Sequence, residues 1–390
     1  MLVRLLNPRQ VFLLKNDTTT IQALSTYLSL NNTRICISDG DDTVSLVLNH
    51  LVNEFPRLKN PPASICSLDT GNHLSSVLGW GYRYELRRLL KTLTQITRAH
   101  PVSLDRWKIQ IEILEMNASS KQYMNIRRRF FSFMDHPKFI RDANQPLYDN
   151  HRTAIRKFFF NYISFGFDAA VVLDFHVRRT RNPFKFTLPF KNKILYINEA
   201  RKYFKEFAFG MAWNLSAYIR LICDRQDLTD SMQHCHSLAV LNTPSFGSGT
   251  RLWGRISTKR NTSQLNSQRY DDSFDQTSSS SFQTHDFPVN DQKSSRRMTF
   301  HNVTHPTMEY FKTRDFGDRN IQVFSLNIRQ MALIHMSFCG NRIAQCSQTR
   351  IELSHPMPVH MDGEPFYLAG SVADNITHAG QVMVLRNENR

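Results

Sequence analysis

Two short apolar strands, each running through an acidic turn into a helix, most constrain what this chain can fold into. Arg34-Ile35-Cys36-Ile37 reads as a buried strand, and Asp39-Gly40-Asp41-Asp42-Thr43 as a turn. Val44, Val47, Leu48 and Leu51 then recur at the 3-, 4- and 7-residue spacing of one helix face. Ala63-Ser64-Ile65-Cys66-Ser67 repeats the pattern, passing through Asp69-Thr70-Gly71-Asn72 into a helix with Leu74, Val77 and Leu78. Tyr82 to Thr97 reads as a third helix, with a basic face of Arg83, Arg87, Arg88 and Lys91. Serial strand–turn–helix units imply an α/β layer built on a parallel sheet. In such sheets ligands sit beyond the carboxyl ends of the strands, where both turns lie. Backbone N–H groups at these helix starts suit a phosphate. They suit an ordinary acidic N-cap equally well, so spacing alone leaves both readings open.

Beyond Pro101 the period shortens to two. Trp107, Ile109, Ile111 and Ile113 share one face, while Lys108, Gln110 and Glu112 share the other, as in a half-buried antiparallel strand. Strand-like runs recur at Phe158–Ile163, Val171–Phe175, Ile219–Cys223, Leu238–Leu241, Ile321–Phe324, Arg350–Leu353 and Val382–Leu385. An amphipathic helix over roughly Asn192 to Phe209 interrupts them. Met361-Asp362-Gly363-Glu364-Pro365 follows a late strand and reads as a hairpin turn. The expectation is α/β plus β: an α/β part over 1–102, then a mostly antiparallel β-sandwich over 103–390. Between about 255 and 312 periodicity fails around the serine run 278–281, which reads as a disordered insertion. A smaller basic, irregular stretch, including Arg127-Arg128-Arg129, lies between Met116 and Lys157.

The six cysteines are widely spaced and form no C-x-x-C pair, so neither a disulfide scaffold nor a zinc knuckle is indicated. His234-Cys235-His236 clusters soft ligands, but neighbours on a strand point to opposite faces, so no metal site is assigned. No apolar run reaches the roughly 18 residues of a membrane-spanning helix. The N-terminal apolar stretch stops at Asn7-Pro8, too short for a secretory signal. A cytoplasmic protein with reduced thiols is expected. Basic residues number 49 against 33 acidic, a formal charge of +16, which points to an anionic partner. Neither Arg127–Arg129 nor Arg178, Arg179 and Arg181 is interleaved with aromatics as a base-stacking platform would be, so nucleic acid is not the expected partner. An anionic membrane surface, met peripherally, is.

Leu6-Asn7-Pro8-Arg9-Gln10-Val11-Phe12, Asp39 to Val44, Leu68 to Asn72, Leu78-Gly79-Trp80-Gly81 and Leu104-Asp105-Arg106-Trp107 form an ordered series of motifs. It continues through Asn161 to Ala169, Asn182-Pro183 with Lys185-Phe186, and Asn192-Lys193 with Tyr196. Leu241-Asn242-Thr243-Pro244-Ser245-Phe246, Leu252-Trp253-Gly254, Arg342-Ile343-Ala344-Gln345 and Val359 to Pro365 complete the series. On this series the chain resembles, over most of its length, the catalytic region of eukaryotic diacylglycerol kinases. The resemblance implies a two-domain lipid-kinase fold that transfers the ATP γ-phosphate to diacylglycerol, with Mg²⁺, giving phosphatidic acid. Asp41 or Asp362 would be the general base, with Glu364 helping to hold Mg²⁺ or nucleotide. Gly40, Asp42, Thr43, Thr70, Gly71 and Asn72 would line the phosphates. Sphingosine and ceramide kinases share the broad fold, but the 182–186 and 241–254 segments resemble diacylglycerol kinases more closely.

The departures fall on the turns. The family's Gly-Gly-Asp-Gly reads Asp39-Gly40-Asp41-Asp42, and its Gly-Thr-Gly-Asn-Asp reads Asp69-Thr70-Gly71-Asn72-His73. The whole chain has only 14 glycines in 390 residues, against an average of roughly 7%. A carboxylate about 4 Å from a phosphate charge repels it by roughly 4 kcal/mol at an effective dielectric near 20. The family's strand and Asn-Pro-Lys-Ser-Gly-Gly turn ahead of Asn7 also have no counterpart here, which would expose a sheet edge. The alternative expectation is therefore a weakened or inactive kinase that acts as a lipid-binding or regulatory module.

Overall fold

The computed structural model describes residues 6–27, 30, 32–55, 60–67, 73–81, 86–113, 155–186, 192, 194–201, 215–232, 234–246, 315–327, 330–331, 340–368 and 370–388. The expected Ser-rich insertion over 255–312, the arginines at 127–129, and Asp69, Thr70, Gly71 and Asn72 lie outside the described residues.

After helix α1 (Asp17–Tyr27) comes the first strand–turn–helix unit, β1 (Ile35–Asp39) and α2 (Asp41–Glu54). Buried Val44, Val47, Leu48 and Leu51 give α2 the apolar face that the spacing predicts. The second unit is β2 (Ala63–Ser67) and the short helix α3 (His73–Val77), with α4 (Leu86–Ile96) after it. β1 and β2 are parallel, from Ile35 opposite Ala63 to Asp39 opposite Ser67. This brings the carboxyl ends of both strands to the same end of the sheet.

The strands that follow are β3 (His100–Ile113), β4 (Ile155–Phe159) and β5 (Tyr162–Gly166). The expected single strand over Phe158–Ile163 is thus two strands, separated at Phe160-Asn161, and each belongs to a different sheet. The expected strand over Val171–Phe175 is instead the middle of helix α5 (Phe167–Arg181). Its two valines favour strand locally, but Phe167, Ala170 and Val171 bury one helical face against β5 and β12, and packing outweighs propensity. Gly166 makes the turn into α5 at φ 93°, where a Cβ would stand 2.6 Å from the His236 carbonyl oxygen. Residues 194–201 form helix α6.

The remaining strands are β6 (Ile219–Cys223), β7 (Gln226–Asp227), β8 (Ser237–Leu241), β9 (Ile321–Leu326), β10 (Asn341–Cys346), β11 (Gln348–Leu353), β12 (Met357–Met361), β13 (Glu364–Leu368) and β14 (Val372–Arg386). An antiparallel six-stranded sheet runs β10-β9-β8-β5-β12-β13. A mixed eight-stranded sheet runs β1-β2-β14-β11-β6-β7, with β3 on β14 and β4 on β3. Among the described residues, parallel pairing is confined to β1 with β2 and one bridge, Val384 to Ala63. β14 reaches β11 through its first half, β2 through its second, and β3 along nearly its whole length, from His100 to Ile113. Residue 102 lies inside β3. One apolar core draws on both sheets, including Trp107, Phe165, Leu221, Val323, Ile351 and Val359. A second gathers β1, β2, α2 and α3 around Val382, Val384 and Leu385 of β14.

Candidate active site

α2 begins beyond β1 with Gly40 as its N-cap residue, in extended geometry at φ −73° and ψ 170°. Asp41 is therefore the first helical residue. Its carboxylate accepts from the backbone N–H of His73 at 2.7 Å and, longer, from that of Leu74 at 3.4 Å. The first acidic turn thus closes onto the start of α3. Burial, with the charge of Asp362 adding to it, pushes the Asp41 carboxyl up to about 7 against the two N–H bonds.

Asp362 arrives from the β12–β13 hairpin. Asp362 and Gly363 have φ of 47° and 102°, the two left-handed residues of a tight Asp-Gly turn, with Met361 opposite Glu364. The Asp362 side chain is buried and accepts four hydrogen bonds. Ser45 Oγ donates at 2.6 Å, and the N–H groups of Phe160, Asn161 and Tyr162 donate at 2.7, 2.9 and 3.1 Å. Burial raises its pKa, and those four donors oppose the rise. Asp362 thereby clamps the break between β4 and β5 to α2. Ser45 stands one helical turn after Asp41, so both carboxylates meet the same stripe of α2.

That stripe continues through Asn49 and Asn53, whose side-chain oxygens accept from Arg106 Nε at 2.8 Å and Arg106 Nη2 at 2.7 Å. The Arg106 guanidinium also lies 3.6 Å from the centre of the Phe158 ring. Burial lowers it to about 10, leaving it a cation at neutral pH. Asn242 holds the other side of the β4–β5 break. It takes a hydrogen bond from Trp107 Nε1 at 3.0 Å and donates to the carbonyls of Asp105 at 2.9 Å and Phe160 at 2.6 Å.

Around the two carboxylates lies a buried aromatic and histidine layer. Tyr162 stands between His73 and His360, at ring-centre distances of 5.5 and 5.4 Å, and against Phe246 at 4.8 Å. Burial lowers His73 to about 4 and His360 to about 3, so both imidazoles are neutral at pH 7. Asp168, in the first turn of α5, accepts from Ser164 Oγ at 2.9 Å and Tyr196 OH at 3.4 Å, and burial raises it to about 6.

Of the residues expected from sequence, Asp41 and Asp362 are brought together through α2. Gly40 and Thr43 lie at the same helix start. Asp42 is exposed in the first turn, and Glu364 is exposed on the hairpin beside Asp362. Sequence reasoning did not single out Ser45, Tyr162, His360 or Arg106. The four-residue spacing Asp41, Ser45, Asn49, Asn53 was a readable signal for two of these contacts. It also did not foresee what Asp39 does. One Asp39 oxygen accepts the Gly40 N–H at 2.9 Å, and the other accepts the Thr43 hydroxyl at 2.7 Å. The chain's own carboxylate thus occupies the Gly40 N–H and the Thr43 hydroxyl.

The family model described as the diacylglycerol kinase accessory domain matches residues 158–365, more than half of the 390-residue chain. The chain belongs to this diacylglycerol kinase family. It is 29% identical over 369 residues to human diacylglycerol kinase zeta, covering 94% of this chain and 31% of that protein. It is 27% identical to human diacylglycerol kinase iota, covering 93% of this chain and 27% of that protein. The chain thus spans about a third of the length of the curated relatives it matches. Among solved structures, a diacylglycerol kinase from Bacillus anthracis aligns with a TM-score of 0.41 at 10% identity, covering 96% of this chain and 80% of that one.

Proposed function

We propose that this chain is the catalytic and accessory part of a lipid kinase. It would move the γ-phosphoryl group of ATP onto the free hydroxyl of diacylglycerol, giving phosphatidic acid at the cytoplasmic face of an anionic membrane. Family membership supports the reaction class. The observation that carries the mechanism is the contrast between the two carboxylates. Asp362 has its oxygens engaged by four donors and works as a positioning residue. Among the described residues Asp41 accepts only two backbone N–H bonds, and burial raises its pKa to about 7, which suits a general base at neutral pH. Asp41 accepts the proton of the lipid hydroxyl as that oxygen attacks the phosphorus. Ser45 and the β12–β13 hairpin keep its helix in place. Bound Mg²⁺ would neutralise phosphate charge, and it commonly takes one or two carboxylates together with the phosphates. The exposed Asp42 and Glu364 are the carboxylates we assign to it. Gly40 N–H and Thr43 Oγ have the right chemistry for a phosphate once the Asp39 side chain turns outward. Thr70, Gly71 and Asn72 are assigned to the same phosphates.

The test is phosphatidic acid formation from labelled ATP and diacylglycerol in mixed micelles. Asp41→Asn is expected to lower kcat by on the order of 10²–10⁴. Because Asp41 keeps its proton below about pH 7, the wild-type rate should rise with pH through that value. Full activity in Asp41→Asn would overturn the assignment.

A second reading follows from Asp39. With its carboxylate already on Gly40 and Thr43, nucleotide binding is weakened and the chain acts mainly as a lipid-binding or regulatory module. On this reading Asp39→Gly with Asp42→Gly raises nucleotide affinity at least tenfold in a direct binding titration. Unchanged affinity would remove it.

A further inference from the structure

We infer that the tip formed by the end of α5, the turn Pro183–Lys185 and the outer face of α6 is the surface through which this protein docks on an anionic lipid bilayer. Three apolar side chains stand in solvent there. Phe184 is 91% exposed, Ile194 52% and Ile197 60%. Phe184 is held outward by local structure. The Asn182 N–H donates to the Arg178 carbonyl at 3.0 Å. Lys185 and Phe186 donate back to Asn182 and Pro183 at 3.1 and 3.0 Å, forming one tight 3-10 turn. Two residues later Phe186 turns inward, 5.2 Å from Phe175 between ring centres, and Tyr196 packs on the same Phe175 ring at 5.7 Å. The Asn192 side-chain amide donates to the Phe186 carbonyl at 3.3 Å, so the start of α6 lies beside the turn.

α6 turns Tyr196 and Ala200 toward the core and buries Glu199. Ile194 and Ile197, one turn apart, are left on the outer face. A buried-in, apolar-out helix beside an exposed phenylalanine is costly for a surface meeting only water.

Charge selects the occupant. Residues 175–186 and 194–201 contain Arg178, Arg179, Arg181, Lys185 and Arg201 and a single acid, Glu199. Glu199 is buried and paired with Arg178. Arg179, Arg181, Lys185 and Arg201 are exposed. Exposed apolar side chains beside exposed cations fit the boundary between lipid headgroups and acyl chains, where the cations face phosphate and the apolar groups leave water. The inference deepens the proposal that the substrate is a membrane lipid, but it concerns docking and not phosphoryl transfer.

The experiment sediments the full chain with vesicles of phosphatidylcholine alone, or of equal parts phosphatidylcholine and phosphatidylserine. Neither contains diacylglycerol or ATP, so a failure of the kinase reading leaves the result unaffected. The wild-type chain is expected to bind the mixed vesicles and to be released by salt. Arg179→Ser/Arg181→Ser/Lys185→Ser should weaken binding on the order of a hundredfold, since each basic residue contributes about fivefold. Phe184→Ser/Ile194→Ser/Ile197→Ser should abolish it, with an unchanged thermal melt because all three positions are exposed. In a Phe184→Trp variant, the added fluorescence should shift to the blue and be quenched by brominated lipid. Wild-type binding by either triple variant, equal binding to both vesicles, or added fluorescence in Phe184→Trp that ignores the lipid would overturn the inference. So would occupancy of this face by a soluble protein that leaves vesicle binding unchanged.

Discussion

Asp374 sits on β14 in register with Ile351 on β11 and Ile111 on β3, and shares its face with Val372 and Ile376. All four neighbours belong to the core that draws on both sheets. The Asp374 side chain is fully buried, and neither oxygen meets a donor among the described residues. Burial alone pushes its pKa up to about 8. The folded chain therefore binds a proton that the unfolded chain, at the ordinary 3.8, gives up. Stability from this group is complete below pH 3.8, falls as pH rises, and is gone above about 8. Asp374→Val removes the carboxyl at similar size and suits a strand. Urea unfolding should show the variant gaining stability over wild type, by several kcal/mol at pH 8 and much less at pH 5. Asp41 titrates in the same direction but is common to both proteins, so it cancels in the difference. An equal gain at both pH values would show that Asp374 has a partner for its charge.

Among the elements, α2 is the part that couples the turn after β1 to the β-strands. Its apolar face fills the second core. Its polar stripe, Asp41, Ser45, Asn49 and Asn53, meets α3, the hairpin and Arg106 in turn. The planar Arg106 fork spans both asparagines, and a lysine ammonium cannot reproduce that span. Arg106→Lys should cost about 0.5–1.5 kcal/mol in urea unfolding, the net worth of a hydrogen bond lost from a partly exposed amide oxygen. A double-mutant cycle with Asn53→Ala should show coupling, and additive losses would show that the contact is energetically idle. Much of this element was legible in the sequence. The spacing of Val44, Val47, Leu48 and Leu51 marked the helix, and the Asp-Gly pair marked the hairpin. Asp41 and Asp362 were both named, but their meeting through Ser45 spans 317 positions in sequence and leaves no local trace. The misread elements share a cause. Val171–Phe175 looks β-branched locally, yet α5 is decided by packing against β5 and β12. Phe158–Ile163 reads as one apolar run because its break lies at two residues whose N–H groups are taken by a distant carboxylate.

For the whole molecule, β14 is the unifying element. Its 15 residues serve β3, β11 and β2 in turn, and they pass a register shift between His378 and Gln381. At that shift Asp105 on β3 receives Gln381 Nε2 at 2.8 Å and lies 3.0 Å from His378 Nε2, while the Arg319 N–H donates to its other oxygen at 2.6 Å. The change of period near Pro101 is real in the sequence, because helices give way there to long strands. It does not mark a gap in packing. Leu104, Phe160, Phe316, Val382, Val384 and Leu385, all beyond residue 102, lie in the same apolar cluster as Ile37, Val44 and Leu74. Without them, β1 and β2 are a two-stranded sheet with an uncovered core, too little for independent stability. A fragment of residues 1–102 should therefore show no cooperative thermal transition by circular dichroism. The full chain should lose the signals of Trp80, in the second cluster, and Trp107, in the first, in one transition. A cooperative melt of the fragment, or separate transitions for the two tryptophans, would show that the first hundred residues fold on their own and that β14 only abuts them.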